Sequence, residues 1–78
     1  MSDAEIERTI LDLLHQRDDG RTICPSEAAR ALADDFRPLM DEVRRVADAM
    51  DDVEITQKGR AVALGDVRGP IRLRLKTP

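Results

Sequence analysis

The chain predicts an α+β domain of three helices followed by a small antiparallel sheet, and three observations carry that prediction. Apolar residues recur at helical spacing as far as Asp52 and at alternate positions from Val53 onward. Lys58-Gly59 separates two alternating runs, a tight hairpin signal. The stretch "RGPIRLRLK", residues 68–76, sets a Gly-Pro turn before a strict alternation of aliphatic and basic side chains.

With 78 residues the chain makes one domain, 1–78, near the lower size limit for a self-sufficient core. A chain of this length buries roughly 60–65 % of its unfolded surface. The hydrophobic content of 41 % suffices for a globule, and with a single Phe and no Trp or Tyr the core must be aliphatic.

The elements follow in order. Ser2-Asp3-Ala4-Glu5 has capping-box spacing, in which the Ser oxygen accepts from the amide three residues on and Glu5 reaches back. The first helix then carries Ile6, Ile10, Leu13 and Leu14 on one stripe, widened by Leu11, and ends near Gln16 or Arg17. Asp18-Asp19-Gly20 is a turn. Arg21-Thr22-Ile23 is short and β-prone.

Cys24-Pro25-Ser26-Glu27 starts a second helix, "PSEAARALA". Pro25 suits the first helical position, and Glu27 lies at the positive end of the dipole. Its alanines allow close approach of a neighbour. Asp34-Asp35 break it and can cap a third helix, 35–50, whose inner face is Phe36, Leu39, Met40, Val43, Val46, Ala47 and Met50. Pro38 falls in its first turn, where proline is tolerated. The outer face holds Arg37, Asp41, Arg44, Arg45 and Asp48.

Strands are expected at 53–57 and 60–64, then a loop at 65–70 and a last strand at 71–75. Ile71, Leu73 and Leu75 should close the sheet over the helices, while Arg72, Arg74 and Lys76 line the outside of an edge strand. Three helices, the last two joined by a short turn, and a hairpin make a winged helix-turn-helix in the order αβααβββ.

The segments "TICPSEAARAL", "RPLMDEVRRVA", "ITQKG" and "RGPIRLRL" resemble the bacterial domain-of-unknown-function family 3253, small proteins with a winged-helix fold. The likeness covers nearly all of the chain beyond the first helix, and residues 68–75 are its most distinctive part. It implies the winged-helix fold and, by analogy of fold alone, nucleic-acid binding. It carries over no catalytic residues.

Charge is unevenly spread. Residues 1–53 hold seven basic and fourteen acidic side chains, a net −7; residues 54–78 hold six and two, a net +4. The overall −3 argues against indiscriminate DNA binding, and the shortage of aromatics argues against stacking unpaired bases. Two functional readings follow. In the first, the chain binds double-stranded DNA weakly: Arg37, Arg44 and Arg45 on the third helix face a major groove, Lys58 and Arg60 at the hairpin tip meet phosphates, and Arg68, Arg72 and Arg74 continue a basic stripe. Against it, the helical arginines are balanced by Asp41, Glu42 and Asp48, and basic side chains on a hairpin tip or edge strand also serve to block aggregation. In the second, the acidic helical face or the exposed edge strand docks a protein partner or a second copy.

Other chemistry is poorly supplied. His15 late in the first helix suits its dipole. Cys24 reads as a half-buried capping residue rather than a nucleophile paired with His15. No Gly-rich phosphate loop is present, and the Asp-Asp pairs stand at separate boundaries, so no enzyme activity, cofactor, metal or small-molecule ligand is expected. One cysteine allows no internal disulfide, no apolar run of ~18 residues occurs, and "MSDAEIER" is unlike a signal peptide. A reducing cytoplasmic setting is the expectation.

Overall fold

A computed structural model describes residues 2–18 and 20–76. The elements are α1 (Asp3–His15), β1 (Thr22–Ile23), α2 (Pro25–Leu32), a 3₁₀ turn (Arg37–Leu39), α3 (Met40–Ala49), β2 (Val53–Gln57), β3 (Arg60–Ala61), a second 3₁₀ turn (Leu64–Asp66) and β4 (Arg72–Leu75). Three helices precede an almost complete sheet, so the fold is α+β in the expected order αβααβββ.

Local chemistry sets the helix starts. The Ser2 hydroxyl accepts from the Glu5 amide at 3.2 Å, opening α1. Cys24 precedes Pro25 at the head of α2, and its amide donates to Glu27 Oε2 at 2.7 Å. The other Glu27 oxygen accepts from Arg17 Nη2 at 2.7 Å, tying the end of α1 to the start of α2. Of the turn between them, Gly20 has φ +79° as glycine allows, and Asp19 lies outside the described residues.

The expected third helix, 35–50, is shorter than predicted. Residues 37–39 form a 3₁₀ turn and α3 begins at Met40. Pro38 explains the difference: its ring disfavours α geometry at Arg37 and it has no amide to donate, so the chain enters through tighter bonds, Leu39 N to Phe36 O at 2.9 Å among them. Asp34 and Asp35 do not cap α3. Its inner face is Val43, Val46, Ala47 and Met50, all buried, while Phe36, Leu39 and Met40 are half-buried at the rim. Arg30 lies over the Phe36 ring at 4.5 Å.

The sheet order is β1-β4-β2-β3, antiparallel throughout. This corrects the edge-strand expectation for residues 71–75. The hairpin return β3 is only two residues long, not 60–64, and it takes one side of β2. The chain then crosses to the other side, where β4 pairs with β2 and β1 together. β4 is therefore interior, and its backbone groups are satisfied on both sides by the ladder. The short strands β1 and β3 form the edges, which leaves little backbone for another chain to pair with.

Alternation divides the sheet cleanly. Val53 opposite Leu75 and Ile55 opposite Leu73 face the helices, and Ile23 joins them from β1. Ile23 and Leu73 are wholly inaccessible to solvent and Ile71 nearly so; Leu75 is half-buried. With Ile6, Ile10, Leu14, Ala28, Ala29 and the inner face of α3 they make one core. Truncating Leu73 to Ala would cost ~2–5 kcal/mol, comparable with the ~3–5 kcal/mol a domain this small can muster. Among the described residues no helix is long and apolar enough to cross a membrane.

Candidate nucleic-acid interface

The hairpin tip is a two-residue turn. Lys58 has φ +54° and Gly59 φ +82°, the pair of left-handed conformations whose twist matches that of the flanking strands. Glycine takes this geometry freely; lysine takes it at a steric cost. Lys58 and Arg60 project from the tip, both exposed.

Next to the tip runs the crossover segment, residues 62–71. Gln57, the last residue of β2, fastens it there: its Nε2 donates to the Arg68 carbonyl at 2.6 Å and to the Pro70 carbonyl at 3.3 Å. The Arg68 carbonyl is thereby held beside Gln57, the residue next to Lys58. The same segment passes along α3, where Leu64, Val67 and Ile71 form one wall of an open cleft and Asp41, Arg44 and Asp48 form the other.

The eight basic residues singled out from the sequence separate into two groups. Three are held within the protein. Arg45 grips Asp3 with a fork of two bonds, at 2.8 and 3.2 Å, and donates to Glu42 at 2.7 Å. Its hydrogen bonds hold the Asp3 carboxyl below the usual carboxylate range, and the two acids push the Arg45 guanidinium further up. Arg74 donates from Nε to Glu54 at 2.7 Å across the strand pair and reaches the Gly59 carbonyl at 3.5 Å. Arg72 turns the other way, to Thr22 Oγ1 at 2.6 Å, the Thr22 carbonyl at 3.3 Å and Cys24 Sγ at 2.8 Å.

Arg72 and Arg74 thus splay in opposite directions across the outer face of the sheet, each clasping the neighbouring strand. Thr56, on that face and opposite Arg72, is 1 % exposed, and its hydroxyl donates to the Arg72 carbonyl at 3.4 Å. The alternation that reads as an open basic stripe is instead an internal set of cross-strand clasps.

The second group is Arg37, Arg44, Lys58, Arg60 and Arg68. Among the described residues none of their side chains takes part in an ion pair or a hydrogen bond. Lys58 and Arg60 stand at the hairpin tip, and Arg68 lies on the segment that Gln57 latches at the same end of β2. Arg44 is half-buried in the cleft, and Arg37 lies on the 3₁₀ turn that packs against α2 and α3. Sequence reasoning missed Gln57, Thr22 and Asp3 as partners. Asp3 and Arg45 are 42 positions apart, and neither spacing nor residue type ties them together.

What fold and site define is a small α+β domain with exposed basic side chains at a hairpin tip and on the loop latched to it. The chain belongs to the family described as protein of unknown function (DUF3253), whose profile matches residues 3–76 of the 78. No curated protein matches it.

Proposed function

We propose that the chain is a winged-helix module that holds double-stranded DNA weakly by its phosphate backbone, through the hairpin tip and the latched crossover segment. The observation that carries this reading is the Gln57 bridge, which latches the segment bearing Arg68 to the end of β2 that leads into Lys58 and Arg60. All three are exposed and unpaired among the described residues. The β2–β3 hairpin takes the part of the wing and α3 that of the recognition helix. Base reading by α3 has less support: Arg45 is engaged by two carboxylates, and Asp41 and Asp48 share the outer face with Arg44. Phosphate contact supplies affinity and position without sequence information. Binding should therefore be nearly independent of sequence and sensitive to salt.

Fluorescence anisotropy with mixed duplexes at low salt tests the proposal. Three phosphate contacts give a log–log salt slope of about −3. Lys58→Ala/Arg60→Ala/Arg68→Ala should abolish saturable binding, while Arg37→Ala should change it little. If the wild-type protein shows no saturable, salt-sensitive binding, DNA is not the ligand. A stoichiometric partner retained from nuclease-treated lysate would then favour the protein-interaction alternative.

A further inference from the structure

The cleft between α3 and the crossover segment contains a feature that duplex binding does not use. Arg44 Nε is shielded from solvent and has no hydrogen-bond partner among the described residues. The protein itself covers Nε, so what the cleft offers is the outer edge of the guanidinium, its two unbonded Nη groups, and such an edge is best completed by a planar carboxylate. Asp41 and Asp48 stand about one helical turn to either side of Arg44, exposed, and neither pairs with it or with any other described cation. Arg45, also on this wall, is already matched by Asp3 and Glu42. The unpaired charges along the wall thus run minus, plus, minus.

That order is selective. A phosphate or simple carboxylate meeting Arg44 would also face two carboxylates. A simple cation meeting the carboxylates would face Arg44. A ligand carrying an anion and a cation a few ångströms apart satisfies both. The opposite wall, Leu64, Val67 and Ile71, is aliphatic, and the open cleft has a volume of about 370 Å³, room for a small metabolite. We propose that this cleft binds a free aliphatic α-amino acid. Its carboxylate meets Arg44, its ammonium meets Asp41 or Asp48, and its side chain lies on Leu64, Val67 and Ile71. The site does not include the tip residues Lys58 and Arg60, and nothing in the sequence signals it, because its two walls, 41–48 and 64–71, are at least 16 positions apart.

Titration of L-leucine into the methyl-labelled full chain, followed by NMR, tests it. Saturable shifts are expected at the methyls of Leu64, Val67 and Ile71. 4-Methylpentanoate, which lacks the amine, and isopentylamine, which lacks the carboxylate, should each bind at least about tenfold more weakly. Arg44→Gln should remove the response, and Lys58→Ala should leave it unchanged. Val67→Trp, which fills the cleft without touching the charges, should also remove it and serves if Arg44→Gln misfolds. No saturable shift up to the solubility limit of leucine would overturn the proposal. So would equal binding of either half-ligand, or a response surviving both variants.

Discussion

The Gln57 side-chain amide donates to the carbonyl of Arg68 at 2.6 Å, and through that bond the hairpin tip and the crossover segment form one surface. Gln57 is half-buried and donates to the Pro70 carbonyl as well, so two loop carbonyls depend on one NH₂ group. Gln57→Met keeps the side-chain length and removes both donors. The expected outcome is faster amide exchange at Arg68, Gly69 and Ile71 and a duplex salt slope smaller in magnitude by about 1, the contribution of one phosphate contact. Faster exchange with an unchanged slope would remove Arg68 from the interface while leaving the latch in place.

Lys58 adopts a left-handed backbone conformation, φ +54°, in a turn for which asparagine is preferred at that position. Lys58→Asn should therefore stabilise the domain by roughly 0.5–1 kcal/mol, read as a higher urea midpoint. The same substitution removes a charge from the tip and should weaken duplex binding. Opposite signs in the two assays would mark Lys58 as a residue held at a cost to stability. If stability and binding fall together, the lysine is a structural element of the turn.

Arg72 holds the edge strand β1 through Thr22 and Cys24. Because β1 is two residues long and pairs only with β4, this clasp is a large share of what fixes it. Arg72→Ala should lower stability by about 1 kcal/mol, a charged hydrogen-bond contribution reduced by the exposure of the site. Arg72→Lys should not restore it, since one ammonium cannot meet three acceptors set out for a planar fork. Full recovery by lysine would mean that charge alone, without the fork, holds the strand.

Local signals in the sequence were dependable in most places, the Asp34-Asp35 cap and the length of the strand from Arg60 being the exceptions. The Ser2 cap, the Pro25 start, the period change after Asp52 and the Lys58-Gly59 turn all depend on residues within four positions of one another, and all appear in the structure. The place of β4 was not legible. An alternating strand reads the same at an edge or in the middle, and only the crossover of residues 62–71 decides which. For the same reason the candidate site was half legible. The basic residue types are plain in the chain, but whether an arginine is available depends on partners such as Glu54 for Arg74, 20 positions away, and Asp3 for Arg45, 42 away.

The Asp3–Arg45 pair makes a pH prediction whose sign is fixed. Arg45 holds the Asp3 carboxyl below its ordinary value, chiefly by hydrogen bonding. A carboxyl with a lower pKa folded than unfolded adds stability above its unfolded value, near 3.9, and loses it as pH falls through the lower folded value. Arg45 stays charged throughout that range. Both side chains are more than half exposed, so the pair is weak and screened by salt. Asp3 also sits in the first turn of α1, where a carboxylate interacts with the helix dipole, and a single substitution would mix the two effects. The coupling in an Asp3→Asn/Arg45→Gln double-mutant cycle separates them. That coupling should be small and constant at neutral pH, shrink below about pH 4 and vanish in acid; urea midpoints of the four proteins at pH 7 and pH 2 measure it. A coupling that persists at pH 2 would show that the bond does not depend on the Asp3 charge.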